Sequence, residues 1–365
     1  MTQDIRVTVD TAALRHNAET LRAAVAPAAV MAVVKANAYG HGAVESARAF
    51  AAAGVDWLGV ADLDEAVELR EAGVTTPLLA WLHAPGETFE RAAAHDVTPA
   101  VSDLVQLEAA AAAGVRAVHL CVDTGLSRNG AVAGEWPEFF ARAAELSGRV
   151  PVEGIMTHLS NASPEEDGAQ VAAFLSAVEM LGRLGVEPRL RHVAASAAAL
   201  HFTDVGGSPG DMVRFGLAMY GLSPFADRTG AQLGLRPALT LRAPVTTVKR
   251  VPAGEGVSYG YVFRPERDTT IAVVPVGYSD GVDRAASDRA SVTIGQRTYR
   301  VRGRIAMNAL VIDVGDDPVE VGDDVVLFGD PALGHQGAAD WARAFGGITY
   351  EVVASLAARL PRSWT

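Results

Sequence analysis

From Met31 to Gly42 the chain reads MAVVKANAYGHG. An apolar β-type run ends at Lys35, and a glycine-punctuated loop follows it. An ammonium is costly to desolvate, so its position where a buried strand runs out calls for a use or a partner. Seven further runs of the same kind follow: WLGVAD (57–62), PLLAWLH (77–83), VTPAVS (97–102), AVHLCVD (117–123), VEGIMTH (152–158), LRHVAAS (190–196) and MVRFGLAMY (212–220). Between them lie alanine-rich pieces such as AVESARAFAAAG and LVQLEAAAAAG, each closed by a glycine suited to a helix C-cap. Near-continuous apolar runs mark parallel strands covered on both faces. Eight of them alternating with helices predict a (β/α)8 barrel of the TIM type over residues 10–235. The competing doubly wound sheet has fewer repeats and a glycine-rich first turn, and KANAYGHG is not G-x-G-x-x-G.

From about residue 236 the pattern changes. ALTLRAPVTTVKRV, TIAVVPVGY, SVTIGQRTYRVRGRI, ALVIDV and DDVVLFG are short, turn-bounded and rich in Val, Thr and Ile. They predict a mostly antiparallel β domain over 236–365. The opening IRVTVD has the same character, so residues 1–9 are expected to join that second domain.

The chain of 365 residues is 49% apolar and 20% charged, with a net charge of −12. That balance builds a sizeable core and disfavours nucleic-acid or anionic-membrane partners, which need clustered cations. A single cysteine, Cys121, excludes an intramolecular disulfide and any cysteine-based zinc site, and no metal is expected. The start, MTQDIRVTVD, lacks the pattern of a secretory signal. No apolar stretch approaches the roughly 20 residues of a membrane span. The expectation is a soluble, cytoplasmic protein.

In a β/α barrel the strand C-termini form the active face. Lys35 and Tyr39 stand after the first strand, Asp123 to Arg128 after the fifth and His158 after the sixth. Ser196 ends the seventh, and Arg214 and Gly216 belong to the eighth. A strand-end lysine can form a Schiff base with an aldehyde cofactor. Ser196, Tyr39 and the amides around Gly216 can hold a phosphate, and an imidazole can pack on a flat ring. Together they describe a site for pyridoxal phosphate, an electron sink for carbanions at an amino-acid Cα. Each residue alone also fits a plainer role: a solvated lysine, a hydrogen-bonded core histidine, Ser196 as a helix cap, Arg214 paired with Asp211.

The ordered motifs AVVKANAYGHG (32–42), VDTGLSRNG (122–130), THLSNA (157–162), MVRFGLAMYG (212–221), VSYG (257–260), VPVGYSDGV (274–282), GRIAMN (303–308) and ITYE (348–351) resemble the alanine racemase family over nearly the whole chain. The resemblance implies interconversion of L- and D-alanine, a small amino-acid substrate, by two bases on opposite faces of Cα, supplying D-alanine for peptidoglycan. It implies that Lys35 holds pyridoxal 5'-phosphate and is one base. Tyr259 is the other, reaching the site from the second subunit of a homodimer. Arg214 faces the pyridine nitrogen, with His158 packed near the ring. Tyr39, Ser196, Gly216, Leu217 and Tyr350 bind the phosphate. Arg128 contacts the cofactor oxygen and the substrate carboxylate, with the Met307 amide opposite. Tyr278 and Asp280 line the entrance with Tyr350.

Two positions depart from the family's pattern. Cys121 stands where a lysine, commonly carbamylated, orients the arginine corresponding to Arg128. Met307-Asn308-Ala309 stands where Met-Asp-Gln is usual. Each removes an anion or polar group expected near the site, so a related racemase acting on another small amino acid, in secondary metabolism, is the nearest alternative. A pyridoxal-phosphate homeostasis protein is the non-enzyme alternative, and the complete β domain carrying Tyr259 argues against it.

Overall fold

The computed structural model describes residues 5–204 and 210–365. Strand β1 (Arg6–Val9) comes first. The next eight are β2 (Ala29–Val33), β3 (Trp57–Val60), β4 (Leu78–Ala80), β5 (Thr98–Val101), β6 (Val118–Cys121), β7 (Val152–Met156), β8 (Leu190–His192) and β9 (Met212–Phe215). Seven lie within the expected runs and β2 starts two residues ahead of Met31, and every ladder among them is parallel. They stand in the order β9-β2-β3-β4-β5-β6-β7-β8. The ring closes between β8 and β9 through the amides of Asp211 and Arg214, which donate to the carbonyls of Arg191 (3.0 Å) and Ala194 (3.1 Å). This is a (β/α)8 barrel.

Its interior is packed. Met31, Trp57, Leu79, Ala100, Cys121, Met156, Leu190 and Met212, one from each strand, form a single buried cluster. Side chains alternate faces along a strand, so residues two apart share a face. His119 therefore points inward with Cys121, His192 with Leu190, and Arg214 with Met212. Gly154 makes room for this polar layer, because a Cβ there would lie 2.6 Å from His119 Nδ1.

The second sheet contains β10 (Leu239–Pro244), β11 (Thr247–Val251), β12 (Thr269–Val274), β13 (Ser291–Ile294), β14 (Arg297–Val301), β15 (Leu310–Gly315), β16 (Asp324–Phe328) and β17 (Arg362–Trp364), with β1 among them. Strand β1 pairs antiparallel with β10 and parallel with β17. Residues 1–4, the start of the segment expected to join this domain, lie outside the described residues. Among the described residues no helix is long and apolar enough to cross a membrane.

Between β2 and the helix Ala43–Ala52 the backbone does something unusual. Ala36, Asn37, Ala38 and Tyr39 all have φ of 52–53°, the left-handed region that costs L-residues about 1–2 kcal/mol each. The turn Lys35–Tyr39 closes on Gly40, and both domains hold it. Beneath it the buried Tyr220 stacks on Tyr39 (5.0 Å between centroids) and His41 (4.4 Å), and donates to the Val33 carbonyl at 2.8 Å. From β17, Arg362 Nε donates to the Gly40 carbonyl (2.8 Å) and Trp364 Nε1 to that of His41 (3.1 Å).

Gly40 and Gly73 separate backbone strain from crowding. Both have φ near +80°, but a Cβ at Gly40 would meet the Val353 carbonyl oxygen at 2.1 Å while one at Gly73 meets nothing. Gly73→Ala should cost about 1–2 kcal/mol and Gly40→Ala about 3 kcal/mol or more. Urea unfolding of the two variants measures the difference; equal losses would mean that the turn yields freely to the intruding methyl.

Candidate active site

A cavity of about 530 Å³ opens at the C-terminal end of the barrel, a size typical of sites for small ligands. Lys35, Tyr39, Arg128, His158, Ser196, Arg214, Gly216, Leu217 and Tyr350 all border it. Tyr259, Tyr278 and Met307 do not. They belong to the β domain of the same chain and are 68%, 42% and 54% exposed. Asp280, expected at the entrance, is buried, where it accepts from the Gly277 amide (3.0 Å) and from Arg359 (2.6 Å).

Lys35 is half-buried. Burial, then the positive charge of Arg128, lower its pKa, and Glu65 partly opposes them. Its Nζ lies 5.9 Å from the centre of the Trp81 ring. Opposite, the helix Ser196–Asp204 begins at Ser196, whose Oγ accepts from the Gly216 amide at 3.1 Å. Gly216 is required here, because a Cβ would lie 2.4 Å from Tyr39 Oη. Two hydroxyls, backbone amides and a helix N-terminus thus converge, the arrangement that receives a small dianion. Burial raises the pKa of Tyr39 and of Tyr350, so both remain neutral phenols able to donate.

Arg214 is only 4% exposed. It donates to the carbonyls of His192 (2.6 Å), Thr157 (2.7 Å) and Val193 (3.2 Å), and stands 3.3 Å from His158 Nδ1. It does not pair with Asp211, whose carboxylate is engaged by Arg191 at 2.6 Å and 3.0 Å. Burial lowers its pKa to about 10, which still leaves a cation at neutral pH. A guanidinium only donates, so it dictates the tautomers behind it. His192 Nδ1, 3.2 Å away, accepts; its Nε2 then carries the proton toward His119 Nδ1 at 2.9 Å. His119 is left protonated on Nε2, which is buried and has no partner among the described residues.

The sequence model described as alanine racemase, N-terminal domain, matches residues 9–224, and that of the C-terminal domain matches 238–364. An alanine racemase of Salinispora arenicola is 45% identical over 98% of this chain and 97% of its own length. One of Frankia casuarinae is 44% identical over 98% and 95%. The crystal structure of alanine racemase from D-cycloserine-producing Streptomyces lavendulae superposes with a TM-score of 0.95 at 41% identity, covering 100% of this chain and 98% of that one. The alanine racemase of Bacillus anthracis with bound L-Ala-P gives 0.89 at 31%, covering 100% and 96%.

The chain belongs to the alanine racemase family.

Within that family frame, Cys121 is a buried barrel residue. Burial raises its thiol pKa to about 11, so at neutral pH it supplies no anion to Arg128. Arg128 makes no hydrogen bond or ion pair among the described residues and borders the cavity with its charge free. Asn308 Nδ2 donates to Ser279 Oγ at 2.8 Å. Sequence reasoning passed over Trp81, Glu65, His119 and His192. The two histidines carried a signal, an imidazole inside an otherwise apolar buried strand; Trp81 carried only its place at the end of β4. Among the described residues no cluster of metal-ligating side chains occurs.

The buried histidines give the fold a defined acid sensitivity. Burial depresses His119 and His158 to about 3 and His41 to about 4, and His192 also lies well below the ordinary range. Unfolding exposes them to a pKa of about 6.5, so below that pH the unfolded chain binds protons the native chain refuses. Stability should be full above about pH 6.5 and fall steadily as pH drops toward 4. Urea midpoints between pH 7.5 and 4.5 measure this, with an uptake of about three to four protons on unfolding; a flat profile would mean that the imidazoles are already solvated in the native state.

Proposed function

We propose that the protein interconverts L- and D-alanine with pyridoxal 5'-phosphate, using Lys35 and Tyr259 as the two bases, in a homodimer whose partner subunit supplies Tyr259. The observation that carries this reading is the convergence on one cavity of a desolvated lysine, an anion cradle at Gly216 and a buried arginine donor. The fit to the cofactor rests on Gly216, where a side chain would collide with Tyr39, and on a donor set matched to a phosphate and a ring nitrogen. Ser196, Tyr39, Tyr350 and the amides of Gly216 and Leu217 would hold the phosphate, Lys35 the aldehyde end, and Arg214 the pyridine nitrogen. When bound, pyridoxal phosphate supplies the electron-poor ring that acidifies the Cα–H of an amino acid.

The chain's own residues do the rest. Burial and Arg128 favour the neutral amine of Lys35, which can take the Cα proton from one face. The phenol of Tyr259 returns a proton on the other face, and reversal of the two roles serves the other enantiomer. Arg128, free of any partner side chain, is available to clamp the carboxylate. Arg214, held by three carbonyls, keeps its proton and would offer a bound ring nitrogen a hydrogen bond rather than a full proton. Exposure of Tyr259, Tyr278 and Met307 on the β domain supports completion of the site by a second copy.

Tyr259→Phe should lower racemisation by about 10²-fold or more while cofactor absorbance is retained. Mixing it with Lys35→Ala should restore activity to about a quarter of wild type, since half the dimers would be mixed and each of those holds one intact site. Loss of Cα–H from L-alanine in deuterated water, followed by proton NMR and chiral chromatography, measures both. No recovery on mixing would place both bases in one chain, and exchange confined to another amino acid would move the substrate.

A further inference from the structure

One carboxylate outside the expected motifs is joined directly to the Lys35 turn. Glu65 lies in the first turn of the helix Leu63–Glu71 after β3, a helix capped by Asp62, which accepts from the Glu65 amide at 3.0 Å. Its side chain turns back to the barrel mouth. Oε1 accepts from the Ala36 amide at 2.6 Å, and Oε2 from the Ala61 amide at 2.8 Å. The two oxygens thus bridge the chain just beyond β2 to the chain just beyond β3. Ala36 adjoins Lys35 and is the first residue of the left-handed run.

We propose that Glu65 is a positioning residue for Lys35: its carboxylate grips the Ala36 amide, holds the left-handed turn in place and keeps a negative charge beside the lysine. This rests on the reading of Lys35 as a proton-moving group. A first-turn glutamate normally serves only its own helix, from solvent. Here burial raises the pKa of the carboxyl, and the two amide bonds only partly offset that penalty. The ion is therefore kept at a cost, and its hydrogen bonds go to the strand ends.

The charge has a defined effect. Glu65 raises the proton affinity of Lys35, against burial and Arg128, which lower it. Arg214, a cation, and Asp123 also border the cavity, and of the carboxyl side chains Glu65 is the one that acts on Lys35. Asp62, which caps the same helix, faces Glu65 and raises its proton affinity. His158, with its pKa pushed down, and Cys121, Tyr39 and Tyr350, with theirs pushed up, are neutral at pH 7. Glu65 is thus the carboxylate that opposes Arg128 at the amine.

Glu65→Gln removes the charge and sets an NH2 against one of the two backbone donors. In the full-length protein without cofactor, the pH midpoint for labelling of Lys35 by fluorodinitrobenzene, read by mass spectrometry, should shift downward. In the cofactor-loaded enzyme kcat for alanine should fall about tenfold or more with KM changed little. A merely structural role gives the opposite shift, because a loosened turn would hydrate the amine and raise its midpoint toward the ordinary value. A midpoint that stays or rises overturns the proposal, whatever the rate does. Glu65→Asp keeps the charge and shortens the reach, so it serves if the glutamine variant does not fold. It should lose hydrogen-exchange protection at the Ala36 amide together with kcat, and unchanged protection and kcat would overturn the proposal. The labelling result is independent of activity: a Lys35→Ala enzyme that still racemised alanine would remove the role of Lys35 and leave the midpoint shift standing.

Discussion

Four consecutive non-glycine residues in the left-handed conformation are the constraint on which the rest of the site depends. A run such as Ala36 to Tyr39 has no intrinsic reason to form, because each residue is penalised by its own Cβ. It persists because the surroundings determine it from every side: Glu65 on the first amide, His41 and Tyr220 packed beneath, Arg362 and Trp364 on the last carbonyls. Strain held this firmly is characteristic of places where a side chain must be pre-set. The turn lets Lys35 leave a buried strand and Tyr39 arrive beside Gly216 within five residues, a reversal that a right-handed helix would not make.

The same logic governs the barrel interior. A (β/α)8 barrel fills its centre with apolar side chains, and most of this one does so. The polar exception is one connected group, Arg214 with His192, His119 and His158. Its histidines are kept neutral by burial, so the arginine carries the only positive charge within it. A second cation there would compete for the same acceptors and weaken the hold of the three carbonyls on the guanidinium. Gly154 supplies the space and the barrel supplies the dryness.

How much of this the sequence discloses depends on whether the physics is local. Continuous apolar runs alternating with glycine-capped helices disclose the barrel, and turn-bounded Val/Thr strands disclose the second sheet, because periodicity and turn chemistry are properties of neighbouring residues. Lys35, Arg214 and Ser196 were legible as polar residues ending apolar strands. Glu65 was not, since a glutamate in the first turn of a helix looks like any other and only the folded chain brings it to Ala36. Nor was the paired state of Asp211, which the sequence offered to Arg214 and the structure gives to Arg191 across the β8–β9 junction. Nothing in KANAYGHG announces φ values near +50° at two alanines, an asparagine and a tyrosine; those follow from contacts with distant segments.

The grip of β17 on this turn has a consequence in the order of synthesis. Arg362 lies 322 residues beyond the Gly40 carbonyl that it binds. The barrel strands, the lysine and every cavity-lining residue except Tyr350 leave the ribosome long before the strand that fixes the loop. A nascent barrel can fold around its apolar layer, but its lysine turn lacks two of its restraints until β17 emerges and pairs with β1. Competence to bind and act therefore arrives late in translation, with the joining of the earliest strand to one of the last. Trimming or blocking β17 would remove the donors that Arg362 and Trp364 bring to the Lys35 turn.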